Sequence, residues 1–452
     1  MRPMGKREVV VVYRSELGDL RLLLTGDALI TRPLSCHAEE RFRRLVDLVR
    51  AADVSFTNLE VLLSHGDGYP AAESGGTYTL TEPYMADELK WMGFHLFSRA
   101  NNHALDYGIE GLLATSRELD LRNMVHAGVG RNLAEARSPA YLDVPQGRVA
   151  LLSACSTFAS FGRAGEQRPD MPGRPGLNPL RYQATVTLGE PALAALKSVS
   201  EHAGYEEIKA QRKSWWPAAG AAETEFEFFG TQFMAGAAPG ITTRPNQEDL
   251  AGNTKWVADA RRQADWVVFS LHTHESPADR ERPAAFAETF SRACIDAGAD
   301  AVVGHGPHLL RGIEIYRGRP IFYSLGNFVF QNETVLRLPA DIYGRYRLGH
   351  DATPADLYDA RTGCDQRGFP ADPVYWQSVA AVCEFSGRAL SRILLYPLTL
   401  GYGKARVQRG RPLLAEGQEA EQIIARLAAL SEPYGTRIQW REGMGVIDFP
   451  IG

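Results

Sequence analysis

Four short apolar runs in this chain each break off at a cluster of Asp, Asn or His, and that pattern restricts the fold more than any other feature. LLLT leads to Asp27, FHLFS leads to Asn101, Asn102, His103 and Asp106, the Trp266 to Leu271 run leads to His272 and His274, and the Ala299 to Val303 run leads to His305 and His308. Strands with unbroken apolar runs are buried on both faces, as in a parallel sheet covered by helices. Open α/β sheets place their sites at the carboxyl ends of such strands. The four clusters therefore read as one polar site gathered from distant segments.

The intervening sequence supplies the helices. Ala38 to Ala52 carries apolar residues at Phe42, Leu45, Val46 and Val49, a helical face, and Val54 to Asn58 follows as a strand. Pro83 to Met92 and Ile109 to Asn123 read as further helices, with strands at Phe94 to Ser98, Met124 to Ala127 and Arg148 to Ser153. After a stretch from about 156 to 252 rich in Gly, Pro, Arg and aromatic residues, the alternation resumes with helices from Gly252 to Ala264 and from Ala284 to Ala297. EIYRGRPIFYSLGNFVF alternates like a hairpin with Arg317-Gly318 at its turn. A second irregular stretch, 331–372, precedes strand-like runs at Ser378 to Glu384 and Ser391 to Leu398 and a helix at Gln418 to Ser431. The expected organisation is one domain over 20–452, with the insertion at 156–252 covering the site and a second at 331–372.

Charge and cysteine usage exclude several roles. A net charge of -5 over 452 residues, with no basic block, argues against a nucleic-acid surface. Cys36, Cys155, Cys294, Cys364 and Cys383 lack CxxC spacing and suggest reduced thiols. VVVVY near the N-terminus is too short for a signal-peptide core, and no run approaches the roughly 18 apolar residues that span a bilayer. The expectation is a cytoplasmic protein with no membrane contact.

The motifs resemble the CapA family of poly-γ-glutamate capsule synthesis, which is related to calcineurin-like metallophosphoesterases. The resemblance rests on Gly26-Asp27, Asn58-Leu59-Glu60, Asn101 to Gly108, His126-Ala127-Gly128 and the block from Gly304 to Phe328 that ends in Tyr323-Ser324-Leu325-Gly326-Asn327-Phe328. It covers roughly Leu22 to Phe330, interrupted by the first insertion. It implies a calcineurin-like four-layer αββα sandwich with a metal-supported site between the sheets. Two departures matter. Asp27 is followed by Ala28 and Leu29, so the histidine of an Asp-x-His pair is missing, and the family's His-Trp-Gly-x-Glu motif becomes His272-Thr273-His274-Glu275. The missing ligand points from a two-metal clamp to a single, harder divalent ion. Asp27, Glu60 and Asn102 would suit calcium, magnesium or manganese, and His272, His274 and His305 manganese or zinc.

Within the wider family, an intracellular chain with surplus histidines resembles the lasso-peptide epimerases, which invert the C-terminal residue of a ribosomal precursor peptide. That chemistry needs two proton-transfer groups, for which His103 with Asp27 or Asp106, and His305, His308 or His272, are the candidates. A metal-dependent hydrolase of phosphoester or γ-glutamyl amide bonds is the alternative, and a CapA-like accessory protein of poly-γ-glutamate synthesis the third. Each residue also has a plainer role: Asp106 as a helix cap, Asn101 and Asn102 as turn formers, His274 and Glu275 as structural neighbours, Ser324 and Asn327 as a structural turn. His37, His65, His95, His126, His202 and His350 are isolated and read as surface or core. Arg163, Arg168 and Arg174 could receive a substrate carboxylate, and Trp215, Trp216, Phe226, Phe228 and Phe229 could line a pocket or pack a small satellite core.

Overall fold

The computed structural model describes residues 17–215 and 226–449; the Val9 to Tyr13 run and Trp216 lie outside them. Two sheets face each other. The larger, ten-stranded, runs 439–441, 444–448, 389–399, 377–386, 20–29, 54–59, 96–98 and 125–127 along its main path, and the smaller, six-stranded, runs 310–316, 319–325, 301–305, 266–272, 147–155 and 140–144. The apolar runs sit where the sequence put them, as parallel neighbours in the centres of the sheets.

Because these strands are apolar on both sides, each sheet packs twice. Leu22, Leu24 and Phe56 meet Leu151, Trp266, Val268 and Val303 between the sheets. On the outer face of the large sheet, Leu23 and Phe97 pack against the Glu40–Arg50 helix through Phe42, Leu45, Val46 and Val49, and against Met85, Leu89 and Met92. The outer face of the small sheet is covered by the Gln247–Arg261 and Ala285–Ala297 helices. The result is the expected four-layer α-β-β-α sandwich. Truncating a fully buried contact such as Leu45 to Ala would cost about 2–5 kcal/mol. The Gly417–Ser431 helix plugs the sandwich edge, Ile423, Ile424 and Leu427 joining the inter-sheet core.

One crossing positions the site. The Arg319–Leu325 strand belongs to the small sheet, and after Gly326 the chain enters the large sheet as Asn327–Phe330, parallel to the end of the Leu20–Leu29 strand. Gly26 permits the passage: a Cβ there would stand 1.8 Å from the Gly326 carbonyl oxygen. Asp27 N donates to that oxygen at 3.0 Å. The Arg317-Gly318 turn has positive φ at both residues (51° and 72°), the geometry of a tight two-residue hairpin loop.

The first insertion is not irregular throughout. Strands Tyr182–Leu188, Phe226–Phe228, Thr231–Ala235 and Gly240–Pro245 form a separate small sheet beside helices Glu190–His202 and Tyr205–Trp215. Phe226, Phe228 and Phe229 contact one another, Tyr205 and Phe233 in a half-buried aromatic cluster from which Phe229 stands largely exposed. The second insertion contains the Ala340–Arg345 and Pro354–Thr362 helices, the latter opened by a Thr353/Asp356 capping box. It is tied down by Arg409, whose guanidinium forms bidentate pairs with Glu333 (2.7 and 2.8 Å) and Asp365 (2.7 and 2.9 Å). No helix among the described residues is long and apolar enough to cross a membrane.

Candidate functional site

Asp27 lies where the Leu20–Leu29 strand shifts register between its neighbours. It is fully buried, and Oδ1 accepts from Asn58 Nδ2 at 2.8 Å while Oδ2 accepts from Gly306 N at 3.0 Å. Around it stand His305 Nδ1 and His308 Nδ1, each 3.4 Å from a carboxylate oxygen, and His272 Nδ1 at 3.9 Å. Glu60, one residue beyond the Val54–Leu59 strand, brings Oε1 to 3.7 Å from His272 Nε2 and 3.9 Å from His308 Nε2. His272 and His305 lie 2.9 Å apart through their Nδ1 atoms, and His272 Nε2 is 3.0 Å from His274 Nε2. The two nitrogens of the His272 ring thus address different groups, Asp27 with His305 on one side and Glu60 with His274 on the other.

Backbone geometry and neighbours hold the imidazoles. His308 has a left-handed φ of 60°, and its Nδ1 is 2.9 Å from Asn327 Oδ1. Ser270 Oγ is 2.6 Å from His305 Nε2. Glu275 is a scaffold, accepting from Ser156, Thr157 and Thr273 at 2.6 to 2.9 Å. Gly306, at φ 116°, keeps the loop against His272, whose Nε2 a Cβ would approach to 3.1 Å.

The electrostatics of the cluster call for a cation. Both Glu60 carboxylate oxygens are buried without a hydrogen-bond partner, and an unpaired buried charge is among the costliest arrangements in a protein. Burial, with the Asp27 charge added, pushes the Glu60 carboxyl well above its ordinary range. Burial alone would also raise Asp27, but the His305 and His308 imidazoles hold it well below the usual carboxylate range. Burial and the neighbouring His274 push His272 down, and burial with His308 takes His274 to about 3. Three overlapping triads, Asp27/His272/His305, Glu60/His272/His274 and Asp27/Glu60/His308, each bring ligand atoms within 4.8 Å of one another. The residues, a mixed set of carboxylate and imidazole donors, fit a divalent ion.

His103 takes a different position. Its Nδ1 is 2.7 Å from Asp106 Oδ2, and Asp106 also accepts from Gly75 N and Thr79 N, so the pair expected from the sequence forms with Asp106 and not with Asp27. A cavity of about 300 Å³ connects the two groups, lined by His103 together with His274 and His308. Asn102 donates its Nδ2 to the Gly75 carbonyl oxygen and leaves its Oδ1 buried without a partner, and the amide beside Asp27 is that of Asn58. Asn101 supports Asn58, donating to its Oδ1 at 3.3 Å and to Leu59 O at 2.8 Å.

Both insertions border the site. The first lines the adjacent cavity through residues such as Phe158 and Leu177 and bonds to the His272–Glu275 loop through Ser156 and Thr157, and Asn332, Arg361 and Phe369 of the second line the central cavity. Arg163, Arg168 and Arg174 are absent from its lining; Arg280, Arg311 and Arg361 are present. Nothing local in the sequence marked these three, because they lie in a loop, a hairpin strand and a helix that meet only in the folded chain.

The family model for the bacterial capsule synthesis protein PGA_cap matches residues 21–332, a span that contains every residue of the buried cluster. Two Sinorhizobium fredii proteins, y4sH and y4uA, are each 39% identical over 94% of this chain and 92% of their own length. The PGA biosynthesis protein CapA of Bacillus subtilis is 26% identical over 79% of this chain and 76% of its own.

Proposed function

Since the chain belongs to the bacterial capsule synthesis protein family PGA_cap, we propose that it is a CapA-like accessory enzyme of polyglutamate-type synthesis, a divalent-metal-dependent hydrolase of γ-glutamyl amide bonds. The B. subtilis relative, a PGA biosynthesis protein, supplies the polymer class. The observation that carries the metal dependence is Glu60, a fully buried carboxylate with neither oxygen hydrogen-bonded, set among imidazoles at a cavity.

Asp27, Glu60, His272, His274, His305 and His308 would hold the ion. When bound, it supplies Lewis-acid polarisation of a substrate carbonyl and charge stabilisation in the transition state. The remaining work belongs to the chain. Asp106 fixes the His103 ring through Nδ1 and leaves Nε2 as the nitrogen that can pass a proton to the departing amine. Asn58 and the Gly306 amide hold the Asp27 carboxylate in place. Phe330, Phe369 and Tyr375 wall the cavity, which stays open to the water that hydrolysis consumes.

A second reading, epimerisation of a peptide Cα centre, has one observation in its favour: His103 and the His274/His308 pair line a single cavity from different chain segments, as two-group proton exchange requires. One experiment separates the two. Manganese-loaded protein is incubated in deuterated water with a γ-glutamyl oligomer or with a lasso-type precursor peptide, and products are read by mass spectrometry and chiral amino-acid analysis. Chain cleavage without deuterium at Cα supports the hydrolase. Deuterium gain at one Cα with an intact chain replaces it with the epimerase, and neither change with metal bound overturns both.

A further inference from the structure

Arg311 and Arg361 line the cavity that His274 and His308 also line, and neither forms an ion pair among the described residues. Arg311 is 1% exposed. Its Nε donates to the Arg280 carbonyl oxygen at 3.1 Å and its Nη2 to the His274 carbonyl oxygen at 3.3 Å, but Nη1 is buried with no partner at all. Arg361 donates to the Thr77 hydroxyl. The third guanidinium of this wall, Arg280, is already neutralised by Asp372 at 2.6 Å. Burial draws the Arg311 guanidinium down to about 10, which leaves it charged at neutral pH. A buried cation needs a counter-ion. Glu275 and Asp279 stabilise it only at longer range, neither forming an ion pair with it among the described residues, and Glu275 is already held by three hydroxyls.

We propose that Arg311 and Arg361 form an anion subsite that binds a carboxylate of the substrate, so that the protein acts on carboxylate-bearing chains whose charged group lies next to the bond presented to the histidines. The inference rests on the reading of this cavity as the substrate site and narrows it to a substrate class. The geometry explains selection as well as affinity. Arg311 contacts the backbone of His274, so a carboxylate seated on it stands beside the residues proposed to hold the ion. Planar guanidinium groups match carboxylate geometry better than a lysine ammonium would.

The test uses the full chain stripped of metal, so that no ion can account for anion binding. Isothermal titration compares γ-L-glutamyl-L-glutamate with the same dipeptide amidated at its carboxylates, and with inorganic phosphate. The acid is expected to bind at least about tenfold more tightly than the amide, a difference of ~1.4 kcal/mol. Arg361→Gln, at a half-buried position, should abolish that preference while leaving thermal stability and manganese affinity unchanged. Arg311→Lys, which keeps the charge but not the fork, should weaken it. Equal binding of acid and amide, no measurable binding of either, a preference for phosphate over the dipeptide acid, or an unchanged preference in Arg361→Gln would each overturn the subsite. Manganese titration of the unaltered protein is scored separately: failure there removes the metal-dependent hydrolase and leaves the acid-against-amide comparison readable.

Discussion

Glu60→Gln removes one charge from the centre of the cluster and preserves its shape. In the metal-free protein the Glu60 carboxyl is raised well above its ordinary value of 4.5. The folded state therefore keeps a proton that the unfolded chain has lost. The stability associated with this group is fully present below pH 4.5 and declines as pH rises through the folded value, with a slope of about 1.4 kcal/mol per pH unit inside that window. Glutamine has no proton to lose, so metal-free Glu60→Gln lacks that decline and gains on the unaltered protein as pH rises. Metal reverses the order. An ion bound to the native state alone, at one hundred times its dissociation constant, adds about 2.7 kcal/mol. At about 2.1 cal/mol/K of unfolding entropy per residue, a chain of 452 residues has roughly 0.95 kcal/mol/K, so the melting temperature should rise by ~3 °C. Differential scanning calorimetry with and without manganese, at pH 5 and pH 8, measures both effects. A manganese-induced rise in Glu60→Gln equal to that of the unaltered protein, together with parallel pH dependence in the metal-free forms, would refute the assignment of Glu60 as the orphaned ligand.

Asp27 has the opposite sign. Its carboxyl is held below its ordinary 3.8 in the metal-free fold, so its contribution is present above that pH and lost as pH falls through the lower folded value; Asp27→Asn should flatten the acid limb of stability, read by circular dichroism on acidification. Asp106→Asn should leave manganese affinity intact and lower turnover by about 10²–10⁴ through loss of His103 orientation, seen as a fall in kcat with little change in KM. Arg409→Met strands the buried Glu333 carboxylate and should cost about 3–5 kcal/mol in urea titration, with loosening of the 331–372 wall visible as faster amide exchange there.

Much of the fold was legible because its central strands are buried on both faces. Trp266 to Leu271 was readable as a strand from its apolar run alone, and the structure extends it by one residue, to His272. The polar cluster was legible for the same reason, since polar residues ending such strands have few other places to go. The small sheet of the first insertion was hidden: Tyr182–Leu188 and Gly240–Pro245 are mostly half-buried or exposed, and their sequences carry no continuous apolar signal. Asn58 enters the sequence reading only within the Asn58-Leu59-Glu60 motif, and it is the register setting Asp27 opposite it that brings its amide to the carboxylate. The Arg311 and Arg361 wall was invisible because the two residues approach through tertiary closure, with no shared motif.

The passage of the chain between sheets at Gly326 also has a bearing on biosynthesis. Asp27 leaves the ribosome some three hundred residues before its backbone partner Gly326 and the Asn327 that steadies His308. Pairings of such sequence separation form late, after the entropy of closing a long loop has been met. The proposed ligand set is therefore not assembled until that late segment has emerged and crossed between the sheets. On the metal-dependent reading, selection among ions falls to the finished fold.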